Sequence, residues 1–190
     1  MIDLDRLYEE KEVFGFFTDQ FCYPEEKPIT LADLDELVAT THPGYAYIKE
    51  YVKATEHKTL YEMQTTYTEV FDFQKDATLF MTYVKFEDSK GRGQMLARLK
   101  VMYEMFGLNM PKGELADLLP LMCEFIYAAE WKGDPRAQES LALLLAVLED
   151  GSYHLMHALE KYESAYAHLV RGMRETFKSC ITQEEVHAND

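Results

Sequence analysis

EVFDFQKDATLFMTY, residues Glu69 to Tyr83, is the stretch on which the fold turns. Before it, Leu60, Met63, Tyr67, Val70 and Phe71 recur at i, i+3, i+7, i+10 and i+11, which is one face of a helix. Phe71-Asp72-Phe73 closes that helix with an acid between two rings. Gln74-Lys75-Asp76 is a short polar break, after which helical character is expected to resume from Thr78 to Tyr83 through Leu79, Phe80 and Tyr83. From Tyr67 to Phe86 the chain holds six aromatic residues and no Gly or Pro. So much ring surface at a helix–loop–helix corner is either buried or kept for something to bind. An acid placed there needs a partner in both cases.

Working outward, helical spacing continues on both sides. Leu4, Leu7, Tyr8, Lys11, Phe14, Phe17 and Phe21 predict a first amphipathic helix, broken by Pro24 and Pro28. Thr30 with Asp33 predicts a capping box opening a short helix to about residue 40. His42-Pro43-Gly44 is a turn, Tyr45, Ile48, Tyr51 and Val52 mark a third helix, and Thr59 with Glu62 caps the fourth. Gly91-Arg92-Gly93 leads into a fifth helix, with Met95, Leu99, Met102 and Phe106 inward and Gly107 as its left-handed cap. Glu114 to Trp131 predicts a sixth helix, apolar nearly all round and therefore buried. At ~100° per residue, Asp117, Pro120, Leu121 and Glu124 share about a third of its circumference. Pro120 would leave the Ala116 carbonyl without a helical donor, or kink the helix. Asp134-Pro135 starts a seventh helix that Gly151 ends; Ser152 opens an eighth, and Ala165 to Cys180 is the ninth. With no strand-period run and no repeat, the expectation is an all-α single domain over residues 1–180, of about nine helices, with a frayed polar tail over 181–190.

Composition bounds what such a domain does. The 190 residues are 47% hydrophobic and 28% charged, a globular balance, and only 9 Gly and 6 Pro punctuate them. A net charge of −15 repels phosphate backbones and anionic lipid, so nucleic acid is not an expected partner. An acidic surface suits a basic partner, and equally serves solubility. Cys22, Cys123 and Cys180 are an odd, widely spaced set, neither a disulfide framework nor a CxxC site. The opening Met1-Ile2-Asp3-Leu4-Asp5 has no signal-peptide pattern, and the apolar run Leu141 to Leu148 is too short to span a bilayer. A reduced, cytoplasmic protein without stable membrane insertion is expected.

Few residues offer chemistry. His154 and His157 stand three apart with His168 beyond, but the one Glu-x-x-His, Glu184 to His187, lies in the tail, so no metal is expected. There is no GxSxG, HExxH or Walker loop, and Gly91-Arg92-Gly93 lacks a preceding strand. Cys123, in an apolar helix, reads as an inert core thiol. The carboxylates Asp72, Asp117 and Glu124 remain, each flanked by apolar residues. They either pair internally, with Arg92 or Arg98 neutralising Asp117 and Glu124 and Asp72 capping a helix, or they serve a binding site. The ten methionines carry the same ambiguity between core and adaptable groove.

Tyr67-x3-Phe71-Asp72-Phe73 with Leu79-x3-Tyr83, then Arg92-Gly93-Gln94-Met95-Leu96, then Glu114-Leu115-x-Asp117-x2-Pro120-Leu121-x2-Glu124-Phe125 form a combination. It resembles the delta-subunit family of respiratory nitrate reductase, the NarJ chaperones, related to the TorD and DmsD redox-enzyme maturation proteins. The likeness runs from about residue 13 to 180. The Phe-Asp-Phe variant and Phe86-Glu87-Asp88 look most like its Gram-positive branch. The resemblance implies an all-helical, TorD-like, cytoplasmic and non-catalytic protein with no cofactor of its own. It implies binding of the apo molybdenum catalytic (alpha) subunit of nitrate reductase, including its N-terminal segment, through cofactor insertion and before membrane docking. The family's proposed peptide groove falls on Tyr67, Phe71, Asp72, Tyr83, Asp117, Pro120, Glu124 and Phe125. Rings and methionines would take the apolar face of a helix, and rim acids would take its Lys and Arg. Two rivals stand beside it. An enzyme using a buried carboxylate pair would show a small-molecule pocket between Asp72 and the 117–124 stripe. A helical adaptor would have no client-folding role.

Overall fold

Helix boundaries follow local chemistry where a cap is encoded and tertiary contact where it is not. The computed structural model describes residues 1–87 and 89–182. Ten α-helices occupy them: α1 (Leu4–Glu9), α2 (Lys11–Phe21), α3 (Leu31–Leu37), α4 (Tyr45–Thr55), α5 (Leu60–Tyr67), α6 (Tyr83–Phe86), α7 (Lys90–Met105), α8 (Leu119–Ala128), α9 (Ala137–Lys161) and α10 (Tyr166–Ser179). No sheet forms among the described residues, only the isolated bridges Ile2–Ile181 and Phe80–Leu118. This is the all-α, TorD-like arrangement expected.

Both predicted capping boxes are present. Thr30 Oγ1 accepts from the Asp33 N–H while the Asp33 carboxylate accepts from the Thr30 N–H at 2.7 Å. Thr59 and Glu62 repeat the exchange at α5. Gly107, at φ +84°, ends α7, and the Leu108 N–H reaches back to the Tyr103 carbonyl at 3.0 Å.

Five expectations are corrected. The first helix is two, broken at Glu10, whose carboxylate meets Arg6 at 2.5 Å and the buried His42 at 3.1 Å. Beyond Tyr67 the chain widens into a π turn, Thr68–Asp72, which sets Phe71 against Tyr166. Residues 78–82 are not helical, since the Met81 N–H donates to the Asp117 carbonyl and the Leu119 N–H to the Leu79 carbonyl. The helix expected over 114–131 is only α8, because Pro120 takes a first-turn position, where its missing N–H costs nothing. The Ala116 carbonyl accepts instead from the Tyr103 hydroxyl at 2.7 Å. Finally, the seventh and eighth helices are one. A Cβ on Gly151 would lie 2.4 Å from the Met81 carbonyl oxygen, so this glycine admits a crossing chain and does not end a helix.

The core joins α2 against α8 and α10 against α4 and α9. Phe14, Phe17, Phe21, Phe125, Leu141, Leu148, Val170 and Phe177 are among its fully or nearly fully buried members. Ile181 pairs with Ile2, and the Thr182 N–H donates to the Met1 carbonyl at 2.9 Å. The remainder of the expected tail, 183–190, and Asp88 of the Phe-Glu-Asp motif lie outside the described residues.

Candidate peptide-binding cleft

The aromatic corner builds a wall. The Tyr67 hydroxyl donates to the Phe21 carbonyl at 3.0 Å, pinning the end of α5 to the end of α2. Its ring meets Tyr23 at 5.5 Å, Phe71 at 4.8 Å and Tyr166 at 6.2 Å, and Phe71 meets Tyr166 at 4.9 Å. Burial raises the phenols of Tyr51, Tyr67 and Tyr166 above their ordinary value, so they are neutral hydroxyls near pH 7.

Beside this wall lies a cleft of about 940 Å³. Phe16 of α2, Tyr51, Met63 and Tyr166 form its nearly buried floor, half-buried Ile29 and exposed Leu37 add apolar surface, and Tyr127 of α8 stands over Gly15. The segment 22–29 runs along it, tied down where the Gln64 side-chain amide donates to the Pro24 carbonyl at 2.9 Å. Among the described residues five carboxylates line it, Glu12, Asp19, Glu25, Glu26 and Glu124, against one ammonium, Lys27. The Cys22 thiol registers that field: burial first, then Asp19, Glu124, Glu25 and Glu114, push its pKa up. Tyr23 continues into a shallower cleft of about 310 Å³ lined by Tyr61, Gln64, Thr65, Thr68, Glu69 and Phe73. Tyr61 and Phe73 are 76% and 75% exposed there. Rings left in water beside clustered carboxylates suit a cationic segment with an apolar face.

The residues expected at the groove separate in space. Glu124, exposed on α8, lines the large cleft. Tyr67 and Phe71 stand in the wall behind it, and Asp72 is exposed at the end of the π turn. Pro120 is buried with its carbonyl taking the Thr18 hydroxyl at 3.4 Å, and Phe125 is buried against Tyr103 and Phe106. Asp117 is fully buried. One of its carboxylate oxygens accepts from the Thr82 N–H (3.1 Å), the Thr82 hydroxyl (2.5 Å) and Arg92 (3.3 Å). The other has no hydrogen-bond partner among the described residues. The Arg92 guanidinium also donates to Thr82 Oγ1 at 3.2 Å and lies 5.3 Å from the Tyr83 ring centre. Of the two arginines weighed from sequence, Arg92 is the one that meets Asp117, while Arg98 is exposed. The carboxylates at 117 and 124 are therefore no buried pair, and neither cleft is lined by Asp72 or Asp117.

Sequence reasoning missed Tyr23, Tyr61, Tyr127, Asp19, Glu25 and Glu26. Glu25-Glu26 between Pro24 and Pro28 was the available signal, an acidic segment held stiff at both ends. Among the described residues no group of three or more His, Cys, Asp or Glu could hold a metal ion, and no helix is long and apolar enough to cross a membrane.

Fold and cleft together define an all-helical protein with an acidic, aromatic cleft. The chain belongs to the nitrate reductase delta subunit family, which matches residues 34–170. It is 32% identical over 120 residues to the probable nitrate reductase molybdenum cofactor assembly chaperone NarJ of Bacillus subtilis, covering 63% of this chain and 61% of that one. It is 27% identical over 125 residues to the nitrate reductase molybdenum cofactor assembly chaperone NarJ of Escherichia coli K12, covering 66% of this chain and 50% of that one. With the nitrate reductase-like protein NarX of Mycobacterium tuberculosis it shares 28% identity over 112 residues, 59% of this chain and 16% of that protein. The chain thus spans less than two thirds of the length of each of these relatives.

Proposed function

We propose that this protein is a cytoplasmic, non-catalytic assembly chaperone for a respiratory nitrate reductase. It captures the N-terminal segment of the apo catalytic subunit and holds that subunit competent for molybdenum cofactor insertion before it docks at the membrane. The observation that carries this is the cleft, where five carboxylates surround apolar and tyrosyl surface. A basic amphipathic helix places its apolar residues on the rings and its Lys and Arg among the acids. Burying a few side chains at about 1.5–3 kcal/mol each offsets the ordering cost without making release slow. Membership of the delta subunit family and the roles named for the two NarJ relatives support the choice of client.

The test uses a synthetic peptide of the catalytic subunit's N-terminus. It is expected to bind with a negative heat-capacity change and to slow alkylation of Cys22, the exposed thiol among the three free cysteines. Glu124→Lys should weaken it at least tenfold. Binding with Cys22 alkylated at an undiminished rate and Glu124→Lys silent would place the client elsewhere.

A further inference from the structure

Helix α7 turns a second surface to solvent, and its chemistry is self-complementary. Arg92, Leu99, Met102 and Tyr103 are buried along one side. At about 100° per residue, Val101 stands diametrically opposite Arg92. Ala97, Val101 and Met105, four apart, form an outward stripe, with Val101 61% and Met105 37% exposed. Arg98 and Glu104, both exposed, flank the stripe at equal distances in sequence from Val101. The helix is also cationic within an acidic chain, carrying Lys90, Arg92, Arg98 and Lys100 against Glu104 where the whole chain has a net charge of −15.

We propose that α7 pairs with α7 of a second copy of this chain, antiparallel about a twofold axis at Val101. Such an isologous contact sets residues equidistant from the axis opposite each other. Val101 then meets Val101, Ala97 meets Met105, and Arg98 meets Glu104, twice. The small and large side chains interlock and the opposite charges align. Among the described residues Glu104 meets the exposed Lys100 at 3.9 Å, a loose surface pair that leaves its carboxylate able to take the partner's Arg98. A parallel pairing would set each residue against its own kind, Arg98 on Arg98 and Glu104 on Glu104. One helix face buries less than the ~800 Å² per partner of a standard interface, so the dimer is reversible and concentration-dependent. This inference does not depend on the client of the cleft.

The experiment combines sedimentation of the full chain over a wide concentration range with cysteine pairing in a Cys22→Ser background. Val101→Cys is expected to cross-link to itself under mild oxidation. Ala97→Cys should cross-link to Met105→Cys in a mixture at least tenfold faster than to itself, which no random collision reproduces. Arg98→Glu and Glu104→Arg alone should each weaken association about tenfold, and the double swap should restore it. A monomer at every concentration, equal 97–97 and 97–105 pairing, or cross-linking of Val101→Cys to a different protein in place of a second copy would overturn the proposal.

Discussion

His42 sits buried where α1, α2 and α10 meet the start of α4. Its Nδ1 accepts from the Gly44 N–H at 3.1 Å, so Nε2 carries the proton and faces Glu10 at 3.1 Å. Burial, then the nearby Arg6, push the imidazole down to about 4. The folded protein thus refuses a proton that the unfolded chain takes up below about pH 6.5. Stability is expected to fall as pH drops through 6.5, with the loss complete near 4. Glu10 works in the opposite direction, because burial raises its carboxyl and the fold gains from its protonation. The net loss should be on the order of 2 kcal/mol. Thermal melts from pH 7.5 to 4 check this, and His42→Asn, which keeps an acceptor for Gly44, should flatten the slope. An unchanged slope would assign the acid sensitivity to other groups. The acids at 117 and 124 divide in the same residue-scale way. Asp117→Asn removes a buried carboxylate from Thr82 and Arg92 and should cost ~3 kcal/mol. Glu124→Gln, on an exposed site, should change stability by less than about 0.5 kcal/mol yet weaken the peptide. Equal melting temperatures for the two variants would contradict this division.

Elements whose limits are set by their own residues were legible in advance; those set by partners were not. Thr30/Asp33 and Thr59/Glu62 announce helix starts because each box closes within three residues. Gly151-Ser152 looks like a stop followed by a start, and only the crossing of Met81 reveals otherwise. Asp117 depends on Thr82, 35 positions earlier, a pairing that no local pattern contains. The cleft escaped notice because it forms where a proline-bounded loop faces α2 and α8, three stretches that meet only in the fold. Two glycines in helices give an element-scale check. Gly151→Ala gains about 1 kcal/mol of helix propensity but drives a methyl into backbone, and should destabilise by about 2 kcal/mol. Gly93→Ala, in α7 where no described atom beyond its chain neighbours and its own helix backbone lies within 4 Å of the added Cβ, should stabilise by about 0.5–1 kcal/mol. Denaturant midpoints moving the same way for both would show that close contact does not govern Gly151.

At the scale of the whole molecule, 34 acidic against 19 basic residues make the folded state repel itself. Unfolding spreads those charges and relieves the repulsion, so salt should favour the compact state. The screening length falls from about 30 Å at 0.01 M to about 3 Å at 1 M salt, which spans the dimensions over which the surplus acts. A gain of about 1 kcal/mol is expected between these limits, or about 2–4 °C in Tm for a chain of this size. The same surplus is concentrated at the cleft, where it attracts a cationic segment. Screening there removes attraction in place of repulsion. The two effects of salt should therefore run in opposite directions on one sample: melting temperature rising while peptide affinity falls several-fold. A neutral salt such as sodium chloride isolates this from the surface exclusion that sulfate or phosphate adds. Calorimetry and thermal melts across one salt series make the comparison. Affinity that holds constant while Tm rises would mean the peptide is held by its apolar face alone, and the acids of the cleft would then serve solubility only.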